Sequence, residues 1–63
     1  MTSSVVVARS KHDGLEYLAQ AERVTWTAAS ELAQRFHNVR EATRAAMRLP
    51  SSLRAFALPV HAA

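Results

Sequence analysis

"SVVVARSKHDGLEYL", residues Ser4–Leu18, is the stretch whose reading decides the fold. Three consecutive valines, Val5, Val6 and Val7, are stiff at χ1 and favour extended backbone over helix. Asp13-Gly14 is a strong short hairpin signal, because a type I′ turn needs positive φ at both central positions and these residue types tolerate it. Beyond it, Leu15, Tyr17 and Ala19 alternate with Glu16, Leu18 and Gln20, the period of a strand. The stretch therefore predicts a β-hairpin. "ERVTWT" (Glu22–Thr27) continues the β character, with Val24 and Trp26 on one face. The intervening "AQAE" reads as a bulge, a bend or the loop of a second hairpin.

Downstream the period changes. In "TAASELAQRF" (Thr27–Phe36), Ala29, Leu32, Ala33 and Phe36 share one helical face, and Thr27 is the expected N-cap of a short helix or helical turn. In "NVREATRAAMRLP" (Asn38–Pro50), Asn38 followed by Glu41 is an asparagine form of the capping box. Val39, Ala42, Ala46 and Leu49 line one side, Arg40, Arg44 and Arg48 the other, and Pro50 ends the helix. "LRAFALPV" (Leu53–Val60) alternates again, and Pro59 marks a strand terminus or an edge strand, since proline cannot donate to a ladder. His61, Ala62 and Ala63 read as a tail. The expectation is an α+β domain spanning residues 1–63. A three-stranded antiparallel sheet, with the first strand between the second and the last, is covered on one face by the helix from about Asn38 to Leu49, with a short extra helical turn.

Composition bounds the function. The chain has 63 residues, of which 49% are apolar, with one glycine, two prolines and no cysteine. This is a folding composition rather than a disordered one. A chain this short buries only about 60% of its unfolded surface, so its core is small and self-association is one route to more. No disulfide or thiolate–metal site can help it. The apolar run Val5–Ala8 is too short for a signal-peptide core or a membrane span, so the expectation is a cytoplasmic protein without a membrane partner. The net charge of +3 is uneven. Residues 1–31 carry a net −1, whereas residues 32–63 carry a net +4 from Arg35, Arg40, Arg44, Arg48 and Arg54 against Glu41. Arginine pairs bidentately with carboxylate and phosphate alike, so the charge points to an acidic partner, protein or nucleic acid.

The order of the "DG" hairpin, "YL", "WT", "AQRF", "REATRAAMRLP" and "LRAFALPV" resembles small β-β-α-β proteins of bacteria, phages and other mobile elements. The resemblance covers most of the chain and lies in its packing residues. It implies a binding protein of the phage- or mobile-element-encoded inhibitor kind, such as the anti-CRISPR proteins. "ELAQRFHNVREATRAAMRL" (Glu31–Leu49) also resembles a helix-turn-helix: Glu31, Leu32 and Ala33 match, as do Arg40, Arg44 and Ala46. It departs at His37, where a glycine usually makes the bend, and at Asn38 and Thr43, where buried aliphatics usually lock the two helices. That resemblance implies a DNA-binding accessory protein.

No arrangement of residues specifies a reaction. The histidines 12, 37 and 61 lack metal-ligand spacing. No serine sits in a nucleophile elbow, Asp13 belongs to a turn while Glu16, Glu22 and Glu31 lie in unrelated contexts, and one glycine cannot build a phosphate loop. The expected function is non-catalytic binding with no cofactor. Arg35, Arg40, Arg44, Arg48, Arg54 and Trp26 are the candidate partner-binding residues. An arginine stripe also serves as a plain solvated face, and the spacing of Trp26 fits a core residue as well as an interface anchor. Apolar residues on both parities of the strands predict uncovered apolar surface and admit a homodimer, or a structural homo-oligomer, as a further reading.

Overall fold

The computed structural model describes residues 3–61. Four antiparallel strands, β1 (Ser3–Lys11), β2 (Gly14–Gln20), β3 (Thr25–Thr27) and β4 (Phe56–His61), form one sheet in the order β3-β2-β1-β4. One α-helix, α1 (Val39–Met47), packs on β1 and β4. The α+β class and the central place of β1 agree with the sequence. The sheet has four strands rather than three, because the turn Ala21–Val24 returns the chain so that Trp26 pairs with Leu18 and Thr27 with Tyr17. His61 closes β4 instead of starting a tail; the expectation for Ala62 and Ala63 lies outside the described residues. Among the described residues, no helix is long and apolar enough to cross a membrane.

Register assigns the two faces of the sheet. Directly paired residues share a face, so Val5, Val7, Leu18, Trp26 and Ala57 lie on one side and Val6, Ala8, Tyr17, Leu58 and Phe56 on the other. The first side carries the core: Val5, Val7 and Leu18 pack with Ala42 of α1, and Trp26, Phe36, Ala46 and Leu49 surround them. Ala42 is fully buried. A side chain no larger than a methyl group there lets α1 lie close to the valines. On the far side, Val6 and Ala8 are also fully buried, and Ala8 sits between Phe56 and Tyr17 in one cross-strand row. Fully burying a valine or leucine is worth about 1.5–3 kcal/mol, so Val6, Val7 and Leu18 are a large share of what holds a chain of this size.

The hairpin forms where Asp13-Gly14 predicts, but its turn is not type I′. Lys11 pairs with Gly14, so the loop residues are His12 and Asp13. Positive φ occurs only at Gly14 in this hairpin, at 143°. The single glycine takes the backbone conformation that a side chain would disfavour, and the two loop residues stay in ordinary space.

The largest departure from expectation is in Thr27–Phe36. Only Ser30–Leu32 forms a helical turn, of the 3-10 type. Thr27 does not cap it as its N-cap; its Oγ1 accepts from the Ala29 N–H at 3.1 Å, and Ala29 occupies the cap position. The cause lies in the sheet. β1 pairs with β4 over Ser3–Ala8 but with β2 only over Ala8–Lys11. The vacated side of β1 is taken by Phe36, which exchanges both backbone bonds with Val5, at 2.8 and 3.3 Å. The Gln34 N–H donates to the Leu18 carbonyl at 2.9 Å, and its Oε1 accepts from the Ala21 N–H at 2.8 Å. Extended backbone at 34–36 satisfies groups that a helix would leave unpaired. Ala33 is consequently buried while Leu32 is 66% exposed, so these four residues do not form one apolar helical face. The helix-turn-helix therefore lacks its first α-helix: Glu31–Leu49 contains the end of the 3-10 turn and α1.

α1 begins as the sequence predicts. Asn38 is extended, and its side chain accepts from the Glu41 N–H at 2.9 Å, satisfying one of the free donors of the first turn. After Pro50 a second 3-10 turn, Ser51–Leu53, leads into Arg54 at φ 52° and then β4. One helix-face residue differs from expectation: Val39, at the first turn, is 51% exposed rather than buried with Ala42.

Candidate functional site

At 3.6 residues per turn, successive α1 side chains are about 100° apart. Ala42, Ala45, Ala46 and Leu49 fall on the side that meets the sheet. Val39, Thr43 and Met47 fall on one flank, and Arg40, Arg44 and Arg48 continue around the helix from that flank. All three arginines are exposed. Arg35 is exposed in the segment before α1, and Arg54 is exposed at the entry to β4. None of these five has an ion-pair partner among the described residues, where the ion pairs are those of Glu16 with Arg9 and Lys11. Glu41 commits its backbone N–H to the Asn38 cap and forms no bridge to the arginines of its own helix.

The flank of α1 faces an open groove of about 570 Å³ against β4. Its walls are Val39, Thr43 and Met47 on the helix and Ala55 and Ala57 at the strand, and Pro50 and Arg54 also line it. Met47 is 78% exposed and Val39 half exposed, so this wall is apolar and wet. Sequence reasoning missed the groove. The signal was present as Val39 and Met47 at i and i+8 with Thr43 between them, a second row beside the buried one.

Trp26 lies elsewhere. It is on β3, on the α1 side of the sheet, half buried against the core. The Arg9 guanidinium stands 4.3 Å above its ring, a cation–π arrangement. Arg9 in turn donates to Glu16 Oε1 from Nε at 3.0 Å and from Nη2 at 2.7 Å, and Lys11 Nζ donates to Oε2 at 3.2 Å. The Arg9 hydrogen bond holds the Glu16 carboxyl below its usual range, against the opposing effect of burial, and Lys11 adds to the lowering. Arg9 thus covers Trp26 and is itself fixed by Glu16. Arg54 lines the groove against β4, Arg40 and Arg44 lie on the exposed side of α1, Arg48 lies toward Ala21, Glu22 and Val24 on its other flank, and Trp26 stands on the opposite edge strand.

Among the described residues, no three histidine, aspartate or glutamate side chains come together as a metal site. No protein-family model, no curated protein and no solved structure matches this chain.

Proposed function

We propose that this chain is a non-catalytic protein-binding module that docks an acidic partner on the α1 surface. One observation carries the reading: an apolar groove between α1 and β4 lies beside a row of arginines that have no ion-pair partner among the described residues. An apolar centre with a charged rim is the anatomy of a specific interface, and unpaired arginines steer an acidic partner to it. The inhibitor or adaptor sense of the proposal, including an anti-CRISPR-type inhibitor, rests on the chain's resemblance to small mobile-element proteins. The test is capture from nuclease-treated lysate with the wild type and with Arg40→Ala/Arg44→Ala/Arg48→Ala. Loss of a nuclease-resistant partner in a variant with an unchanged circular dichroism spectrum supports it; an identical captured set in both speaks against it.

The exposed four-residue arginine spacing favours nucleic acid as the second reading. Three phosphate contacts would give a log–log salt slope of about −2.7. No retardation of duplex DNA at low salt removes that reading. A homo-oligomeric role is distinguished from both by sedimentation of the isolated chain.

A further inference from the structure

We infer that β4 is a docking edge for an extended peptide of a partner protein, which enters as a fifth strand, places apolar side chains in the α1/β4 groove and carries acidic residues on both sides of that apolar stretch. The inference rests on the protein-binding reading above and specifies the chemistry of the partner.

The backbone of β4 sets the register. Val5 spends its N–H and carbonyl on Phe36, on the side of β1 away from β4. Val5 and Pro59 are therefore a non-hydrogen-bonded pair, and by alternation so are Val7 and Ala57. It follows that Ala57 and Pro59 turn their backbone polar groups outward, since β4 is the edge of the sheet. Between Phe56 and Val60 the outward groups are the Ala57 N–H and carbonyl and the Pro59 carbonyl; proline supplies no donor. An antiparallel peptide can exchange two bonds with Ala57 and donate one more to Pro59. Its residue opposite Ala57 shares that residue's face, which is the α1 side, and so points at the groove between Val39, Thr43 and Met47. A helix beside a free strand edge is the arrangement in which main-chain bonds supply affinity and side-chain pockets supply selectivity.

Charge decides between occupants. α1 leads through Pro50 and the second 3-10 turn into β4, so the two run in opposite senses beside the groove. Arg54 lines the groove, and Arg40 follows Val39, another lining residue, on the first turn of α1. Acidic residues flanking the bound stretch meet this positive charge. A second copy of this chain would instead bring its own Arg54 and Arg40 to a rim of the same sign, and like charges across an interface disfavour it.

The probe is a short acetylated and amidated peptide with a valine-rich centre flanked by glutamates; its analogue flanked by lysines is the control. Titration followed by amide NMR and hydrogen exchange should show the Ala57 amide shifted and protected with the acidic peptide and not with the basic one. Ala57→Pro deletes the outward donor without touching a β1–β4 bond, and should weaken binding by about tenfold or more. Should that variant lose its fold, Met47→Glu places a charge in the groove at a residue that is already exposed, and should weaken the acidic peptide comparably. Full binding by either folded variant overturns the inference, as do shifts confined to the arginine face or no binding of the acidic peptide. In those cases a lysate partner lost on removal of Arg40, Arg44 and Arg48 would leave the module reading standing without strand addition. A concentration-dependent dimer abolished by Ala57→Pro would identify the occupant as a second copy and overturn the choice made here.

Discussion

Two leucines test the packing directly, because the structure reverses what their sequence neighbourhoods imply. Leu18 alternates with apolar neighbours in step with Glu16 and Gln20, yet it is fully buried; Leu32 sits in an apolar-looking helical row, yet it is 66% exposed. Leu→Ala removes three carbons, worth about 0.8 kcal/mol each when fully buried, or about 2.4 kcal/mol. At Leu18 the cavity left against Val5, Val7 and Ala42 adds to this, giving about 2–5 kcal/mol. A core of this size is expected to supply only about 3–5 kcal/mol in total, so Leu18→Ala should leave the chain largely unfolded at ambient temperature. At Leu32 only a third of the side chain is shielded, and the same rule gives about 0.8 kcal/mol. Urea titration followed by the fluorescence of Trp26, the sole tryptophan, measures both. Comparable midpoints for the two variants would refute the placement of β2 against α1.

Three further outcomes follow from local geometry. Val24, β-branched, is held at φ 47°, a conformation that asparagine tolerates better; Val24→Asn should raise stability by about 0.5–1 kcal/mol, and a lower melting temperature would contradict the strain. Asn38→Ala removes the bond to the Glu41 N–H and should cost about 1 kcal/mol, whereas Asn38→Asp should restore most of it; equal melting of the two variants would show that the cap is idle. The Glu16 carboxyl is lowered by Arg9 and Lys11, so its contribution is fully present above the unfolded glutamate value of about 4.3 and is lost as pH falls through the lower folded value. The stability gap between wild type and Glu16→Gln should therefore close only in the acid range, and a gap that does not change with pH would remove the ionic basis of the Arg9–Trp26 cover.

The parts of this fold that were legible are those encoded by neighbours in the chain. The valine run, Asp13-Gly14, the Asn38 cap and Pro50 each act within a few residues, and β1, the hairpin, α1 and its end appear where those signals stand. Pro59 correctly marked an edge, because its missing N–H faces away from β1. The segment Ala29–Phe36 was misread because its conformation is set from a distance. The need of Val5 and Leu18 for backbone partners overrides a local helical period. The exposed arginines of α1 were visible from spacing, and so was their separation from the buried row. That Trp26 is covered by Arg9 was not visible, since sixteen residues lie between them in the chain and only the register of β1, β2 and β3 brings them to one face.

Simple dimensions explain why apolar surface is left beside α1 and on which side it falls. Four strands span three spacings, about 14 Å, whereas one helix is only about 10 Å across. α1 therefore cannot cover the whole sheet, and it lies over β1 and β4. Toward β3 part of the uncovered strip is filled from within the chain: Trp26 packs against the core and Arg9, pinned by Glu16, lies over the ring, while Val24 stays 42% exposed beside a smaller hollow lined by Ala21, Ala45, Arg48 and Leu49. Toward β4 the corresponding strip keeps Val39 and Met47 exposed, and between Phe56 and Val60 the strand beside them has a free edge with one usable donor at Ala57. A tryptophan and an ion pair cover part of one margin, while the other keeps an apolar groove with exposed Met47 and Val39, backbone groups free to pair and Arg54 in its lining. That difference supports the docking surface proposed on the β4 side. It also predicts that substitutions at Met47 and Ala57 will change binding more than stability, and those at Arg9 and Trp26 the reverse.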